Sequence, residues 1–470
     1  MALANKNVHF VGVGGCGMSG LVRMVRQQGA ACSGSDLKQS EVIDQLRREG
    51  YPIALHQSAN TVPPNCDLLI YSAAVSDSHP EVVEANRRRL PIMKYAQAIG
   101  QLMLDRTGVA IAGTHGKSTT TSMLSHILIH AGLDPSLIVG AHCGQIGGGW
   151  RCGQGNLLVV EACEYDRSFL NLQPTHAVIL NVEADHLDVY DSIDQIVGAF
   201  TLFASKLPVE GTLLIHHETP HRQMITAALD CTVQTIGFTS DADWHLEVEP
   251  PVHCDQGTQN RKPKVQLFEY NQSVVDWISP LPGDHMAFNS AVAAVTAHQL
   301  GAPWPAISEA LASFRGLERR MQRLGQRTVR EGLVTVVDDY GHHPTEIAAT
   351  LIALRQHESP KRLICVFQPH QHSRTRFLLD DFSSSFGQAD IVIIPDIYFV
   401  RDSEHERQSI MATDLVERLC HRKIQAMYLR SFEAITAYLK NHTRAGDLVV
   451  TMGAGDVWKV AQQFLNPRPN

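Results

Sequence analysis

Val109-Ala-Ile-Ala-Gly-Thr-His-Gly-Lys-Ser-Thr-Thr-Thr121 reads as a buried strand, a tight glycine turn and the start of a helix that carries a lysine. Such a turn binds phosphate. Gly113 and Gly116 let the backbone N–H groups of Thr114, His115 and their neighbours curl around an anion, and Lys117 adds a point charge. Ser118 can ligate Mg²⁺, and the helix end near Thr119 supplies a positive dipole. The spacing predicts a helix over 119–130, stopped by Gly132. Ile111 stands where a full phosphate-loop consensus has its first glycine, so an ordinary glycine-rich strand-to-helix turn is the competing reading.

Outward from this stretch, apolar runs of strand length alternate with helical patterns, which predicts an α/β protein with parallel sheets covered by helices. Toward the N-terminus, Val8–Val11 leads through Gly12-Val-Gly14-Gly15-Cys-Gly17 into a helix expected near Met18 to Gln28. The chain then returns as a strand closed by Asp36. This is a dinucleotide fingerprint in spacing and context. The same turn would cradle the diphosphate of any nucleotide conjugate, so NAD(P) and a UDP-sugar compete for it. Ser72, at the end of the run Asp67–Tyr71, adds a polar lip for a ligand. Beyond the phosphate loop, Leu157–Glu161 and Ala177–Asn181 read as strands, and Val-Glu-Ala-Asp-His186 follows the second. Ligands in open parallel sheets gather at strand carboxyl ends, so Glu161 and His186 are expected beside Lys117 and Ser118, where they suit Mg²⁺ or Mn²⁺. The bland reading of His186 is a helix-start histidine bonded to Asp185 or Asp188. A proline- and charge-rich excursion over 241–264 is expected to be a loop or antiparallel insertion. A last block carries strand-like runs at 334–338, 363–367, 391–394 and 448–451.

Bulk properties narrow the class. A formal net charge of −8 over 470 residues leaves no basic footprint for nucleic acid, and Arg87-Arg88-Arg89 reads as the solvated end of a helix. Ten scattered cysteines without a Cys-x-x-Cys pair argue against a disulfide framework or zinc site and fit a cytoplasmic protein. No apolar run approaches membrane-spanning length, and no secretory leader is expected.

Four stretches now fall in an informative order: Gly113-Thr-His-Gly-Lys-Ser-Thr119, Glu161-Ala-Cys-Glu-Tyr-Asp166, Asn181-Val-Glu-Ala-Asp-His186 and Asp338-Asp-Tyr-Gly-His-His-Pro-Thr-Glu346. Together they resemble the Mur ligases over nearly the whole chain. Gly14-Gly-Cys-Gly-Met-Ser-Gly20, Tyr340-Gly-His342 and Phe367-Gln-Pro-His370 are similar to the members that join L-alanine to UDP-N-acetylmuramate in peptidoglycan precursor synthesis. The resemblance implies a Rossmann-like UDP-sugar domain over 1–106, a central ATP-binding domain over 107–317 and a Rossmann-like amino-acid domain over 318–470. It implies ATP and Mg²⁺ (or Mn²⁺), UDP-N-acetylmuramate and L-alanine, and a monomer or homodimer without nucleic-acid or membrane partners. It favours the UDP reading of the first glycine turn, with Gly14, Gly15, Gly17, Met18, Ser19, Asp36 and Ser72 toward the sugar nucleotide. Carried over residue by residue, it gives Lys117 the β/γ-phosphates and Ser118, Glu161 and His186 the metal. Asn289 takes the adenine, Arg320 or Arg319 the phosphates, and Asp339 the ribose. Tyr340, His342 and Arg374 frame the alanine and the reacting carboxylate.

Several positions depart from the family pattern. Met286 follows Pro282-Gly-Asp-His285 where asparagine is usual, Gln371 replaces a common arginine, and Cys163 and Tyr165 replace aspartate and serine. No lysine between His186 and Lys206 is available for the carbamylated lysine of sister ligases. Two rival functions follow: the recycling ligase that attaches a tripeptide to the same sugar nucleotide, and a weakened nucleotide-binding regulator. The bland reading of Arg374 is an exposed arginine in the first turn of a helix.

Overall fold

The computed structural model describes residues 3–186, 189–249, 262–400 and 402–466. They form two compact units. The first comprises 1–182, 197–245 and 292–310, and the second 183–196, 246–291 and 311–470.

The first unit holds two sheets. Strands β1 (Asn7–Val11), β2 (Ala31–Ser35), β3 (Ile53–Ala54), β4 (Leu68–Tyr71) and β5 (Ile92–Lys94) lie in the order β3-β2-β1-β4-β5. All the pairings are parallel, so the order reverses between β1 and β4. A crevice opens where such an order reverses, and the glycine turn after β1 occupies that place. The helix after that turn is Cys16–Gln27, so it begins earlier than the apolar periodicity predicts. Arg87 ends the helix Pro80–Arg87 and pairs with Glu84, as a solvated helix end should.

The second sheet is built on β6 (Thr107–Ala112), β7 (Ser136–Cys143), β8 (Gly148–Arg151), β9 (Leu157–Glu161), β10 (His176–Ile179), β11 (Thr212–His216), β12 (Thr232–Gly237) and β13 (Trp244–Glu249). Their order is β13-β12-β11-β10-β6-β9-β7-β8. Only β8 runs antiparallel to its neighbour. Val109, Ala110, Ile111 and Ala112 have no exposed surface, which is what a strand covered by helices on both faces requires. The helix Lys117–His130 starts two residues earlier than expected, because Gly116 adopts the left-handed conformation (φ 82°) and serves as its cap.

In the second unit β14 (Lys264–Glu269) and β15 (Gln272–Ile278) make an antiparallel hairpin. Of the excursion expected over 241–264 as a loop or antiparallel insertion, residues 244–249 instead form β13, parallel to β12, and only Lys264 opens the antiparallel hairpin; residues 250–261 lie outside those described. The larger sheet has the order β16-β17-β21-β18-β19-β20, from β16 (Gln322–Val329), β17 (Gly332–Asp339), β18 (Arg362–Phe367), β19 (Ile391–Ile394), β20 (Ala426–Tyr428) and β21 (Asp447–Met452). Alternate residues enter two cores. Val337, Leu363, Cys365, Phe367 and Val450 pack on one face, and Val336, Ile364, Val366 and Val449 on the other. Among the described residues no helix is long and apolar enough to cross a membrane.

Candidate active site

The phosphate loop follows β6. Gly113 has φ 141°, and a Cβ there would stand 2.9 Å from Leu180 Cβ and 3.2 Å from Asn181 N, so only glycine fits against the neighbouring strand end. Asn181 braces the loop: its Oδ1 accepts the His115 N–H at 2.7 Å, its Nδ2 donates to His115 O at 3.2 Å, and its own carbonyl accepts the Thr114 N–H at 3.1 Å. The strand-end position of Asn181 was visible in the sequence; its bracing role was not. Lys117 Nζ donates to Gly113 O at 2.5 Å and Thr114 O at 3.0 Å, and pairs with Glu164 at 2.9 Å. Burial alone would lower the lysine pKa, but Glu164, with lesser help from Cys163 and Glu161, holds it above the usual range. The ammonium stays charged.

Ser118 Oγ donates to the Glu161 carboxylate at 2.9 Å, and Gly140 N–H donates to Glu161 Oε2 at 2.7 Å. A hydroxyl and a carboxylate in contact at a phosphate loop form a hard oxygen pair, the donor set that Mg²⁺ prefers. The donors fit the ion. His186 belongs to the other unit. Its backbone is left-handed (φ 53°), its N–H donates to Asp185 Oδ1 at 2.7 Å, and its Nε2 stands 3.8 Å from Asp185 Oδ2. The Asp185 contact fits one part of the bland reading of this histidine, but the next described helix begins at Ile193, so His186 is not a helix start; Asp188 lies outside the described residues.

At the first glycine turn Asp36 faces inward. Its Oδ2 accepts the Gly14 N–H at 2.8 Å and its Oδ1 the Lys38 N–H at 3.1 Å, so the carboxylate fastens the turn. Ser72 lies alongside, since a Cβ on Gly12 would be 3.1 Å from Ser72 Cβ. Gly15 caps the helix that Gly17 enters. Met18 and Ser19 are buried within it, and Met18 lies against the turn, 3.9 Å from where a Cβ on Gly15 would stand.

The second unit gathers the remaining residues. Asp339 is buried, with Oδ1 accepting the Gly341 N–H at 2.6 Å and Oδ2 the Met321 N–H at 2.7 Å. Burial pushes its carboxyl up to about 6. The Arg319 and Arg320 guanidiniums lie 5.0 and 5.1 Å from the centroid of the Tyr340 ring. Arg319 also bonds Asp338 and the carbonyls of Gly453 and Gly455, whereas Arg320 reaches Glu346 at 3.3 Å. Asn289 follows His285 by one helical turn, and both Asn289 and Met286 are buried.

Glu346 is a hub that the motif reading quoted without a role. It accepts the His342 N–H at 3.0 Å and the His343 N–H at 3.3 Å while holding Arg320. His342 Nδ1 lies 3.2 Å from Tyr340 O, an acceptor, so Nδ1 carries the proton and Nε2 keeps its lone pair. His343 has the opposite arrangement: Nε2–H donates to Ala184 O at 3.2 Å and Nδ1 accepts the Thr345 N–H at 3.3 Å. Burial, reinforced by Arg374, pushes His342 down to about 3, so its imidazole is neutral. Arg374 is 6% exposed, against its bland reading as a surface arginine. Its guanidinium bonds Asp185 at 2.8 and 2.9 Å and donates to His370 Nδ1 at 3.2 Å. His370 stacks on Tyr398 at 5.4 Å and meets His342 edge-on at 6.0 Å. Gln371 has φ 71° and is 3% exposed, and its Nε2 has no partner among the described residues.

An α/β chain with a glycine-lysine phosphate loop, a nearby carboxylate and a separate imidazole-rich loop cluster has the parts of a phosphate-activating ligase. Family models match it in chain order: Mur ligase family, catalytic domain, over 7–107; Mur ligase middle domain over 111–297; and Mur ligase, glutamate ligase domain, over 319–455. The chain belongs to the Mur ligase family. It is 38% identical to the UDP-N-acetylmuramate–L-alanine ligase of Caldanaerobacter subterraneus subsp. tengcongensis, over 98% of this chain and 97% of that protein. Identity to the enzyme of the same name from Clostridium novyi is 37%, over 99% and 98%. In fold it resembles the UDP-N-acetylmuramate-alanine ligase of Thermotoga maritima, with a TM-score of 0.77 at 24% identity over 98% of both chains. A murein peptide ligase from Psychrobacter arcticus aligns with a TM-score of 0.67 at 23% identity over 98% of both.

Proposed function

We propose that this protein joins L-alanine to UDP-N-acetylmuramate at the expense of ATP, as a cytoplasmic step of peptidoglycan precursor synthesis. The observation that carries the reading is the Lys117, Ser118 and Glu161 cradle at the end of β6, in a chain whose full-length relatives bear that activity in their names. The functional division is 1–106 for the sugar nucleotide, 107–317 for ATP and 318–470 for the amino acid.

The lactyl carboxylate attacks the γ-phosphorus, ADP leaves and an acyl phosphate forms. The neutral amine of alanine then attacks the acyl carbon, and the tetrahedral adduct collapses to the amide as the phosphate leaves with the electron pair of the C–O bond and takes up the proton lost from nitrogen. Negative charge builds on phosphoryl oxygens in the first step, where Lys117 is placed to neutralise it. Ser118 and Glu161, with His186 as the third position that the family resemblance supplies, would hold Mg²⁺ or Mn²⁺, which adds Lewis-acid charge at the phosphates when bound. Asn289, Arg320 and Asp339 keep the nucleotide roles that the same resemblance gives them. On the acceptor side Tyr340 and His342 line the approach of alanine. The neutral imidazole bonds the amine through Nε2; a group pushed down to about 3 is too weak a base to strip an ammonium. With Asp185 and His370 fixing its plane, Arg374 keeps one N–H for a carboxylate oxygen.

The test is phosphate release from ATP and UDP-N-acetylmuramate across a panel of amino acids and the L-alanyl-D-glutamyl tripeptide. Release with L-alanine is expected. Release with the tripeptide alone would make this the recycling ligase, and release with none would leave a nucleotide-binding regulator.

A further inference from the structure

An ammonium has three N–H groups, and all three of Lys117 are engaged: with Gly113 O, with Thr114 O and with the Glu164 carboxylate. A phosphate oxygen can be taken only in exchange for one of these partners. The two carbonyls belong to a loop pinned by Asn181 and by the conformation that Gly113 alone can hold, so they stay. Glu164 is different. Its carboxylate reaches the lysine on a rotatable side chain, 3% exposed, and lies almost evenly across Nζ at 2.9 and 3.0 Å. It stands at the head of a turn in which Asp166 and Arg167 both have φ 52°, two successive left-handed residues without glycine. Strain of this kind is held where the surrounding structure needs a side chain in one place.

We propose that Glu164 is a positioning residue that serves as a stand-in anion for the nucleotide: it holds the Lys117 ammonium until the β/γ-phosphates displace it. The lysine then passes from one anion to another and is never left as a bare charge in a dry cradle, the arrangement that costs most. ATP gains only the difference between a phosphate and a carboxylate, so Glu164 sets nucleotide affinity below what the loop alone would give. This inference rests on the proposed ATP-dependent reaction, and nothing in the motif reading assigned Glu164 a role.

The experiment is titration of the full-length enzyme with β,γ-imido-ATP and Mg²⁺, and separately with AMP, whose single phosphate falls short of the lysine. In Glu164→Gln the charge is gone, and Kd for the ATP analogue should fall by about tenfold while Kd for AMP stays within about twofold. Glu164→Asp draws the carboxylate back by one methylene and should give about a threefold gain of the same kind. It carries the test alone if the glutamine variant does not fold. Unchanged or weaker ATP-analogue binding in folded variants would overturn the proposal. So would an equal gain for AMP, which would mean a general change in the pocket. If the unaltered enzyme binds no ATP analogue, both this inference and the proposed function fall; if it binds and the variants match it, only this inference falls.

Discussion

The phosphate loop and the cluster around Arg374 solve the same problem, fixing charge in a poorly solvated place, by opposite means. The loop is local. Gly113 to Ser118 supply its backbone geometry and its cation, with its backbone braced from afar by Asn181 and its Lys117 and Ser118 side chains met by Glu164 and Glu161. The cluster is assembled from separate segments around 184–186, 319–321, 339–346 and 370–374, and buried ion pairs and histidine contacts hold it. A loop specified by consecutive residues tolerates the loss of one contact. A cluster specified by long-range pairs does not.

The contrast is broken most severely at Asp185. Asp185→Asn strands the buried Arg374 guanidinium and should destabilise the second unit by about 3–5 kcal/mol, the usual cost of removing one partner of a buried pair. Urea unfolding followed by a probe in that unit reads it, and a loss under about 1 kcal/mol would mean that the pair contributes little to holding the cluster. In the loop the cost should fall on chemistry and leave the fold intact. Lys117→Ala is expected to lower kcat by about 10²- to 10³-fold, the scale of losing one electrostatic stabiliser. Single-turnover phosphate release checks this, and near-normal turnover would remove Lys117 from the transition state.

Smaller effects sharpen the comparison. Asn181→Ala removes one brace of a locally specified loop, and about 1–2 kcal/mol of stability should go with a raised KM for ATP and an unchanged KM for alanine. Calorimetry and initial rates separate the two. His342→Ala should raise the alanine KM by several-fold, about 1 kcal/mol of lost hydrogen bonding, and leave the acid limb of the kcat profile where it is. An acid limb displaced in the variant would instead make His342 a proton acceptor. The sign for stability follows from the same burial: His342 is held at about 3 against an ordinary histidine value near 6.5. Its contribution is therefore complete above about 6.5 and drains as the pH falls toward 3. Thermal melts of the parent and the variant should converge over that window.

The same difference decides what could be read in advance. The strands legible in advance are those with continuous apolar runs: Val109 to Ala112 is buried throughout, and Ile391–Ile394 needed no adjustment, whereas short or polar strands such as β3, β8 and β16 carry no such run. Helix starts shifted where a glycine does the capping. Gly116 adopts φ 82° and lets the helix begin at Lys117, a choice that apolar periodicity does not encode. Within the site, Lys117 against Gly113 and Ser118 against Glu161 sit where strand-end reasoning looks. Asp36 and Asp339 were harder, because a carboxylate at a strand end reads alike whether it faces a ribose or folds back onto backbone N–H groups. Glu346, Asn181 and Glu164 act through partners from 3 to 66 residues away, and a single sequence carries no mark of such pairings.

His342 and His343 are consecutive yet fixed in opposite tautomers, one offering a lone pair at Nε2 and the other committing its Nε2–H to Ala184 O. Two imidazoles side by side thereby act as a direction marker. On the proposed reading an amino acid that arrives amine first would meet an acceptor at His342 Nε2, whereas one that arrives carboxylate first would meet repulsion between lone pairs. The strand-end turn after β17 would then distinguish head from tail in a molecule as small as alanine. It would do so without a net charge of its own, leaving the arginine beside it to receive the other end.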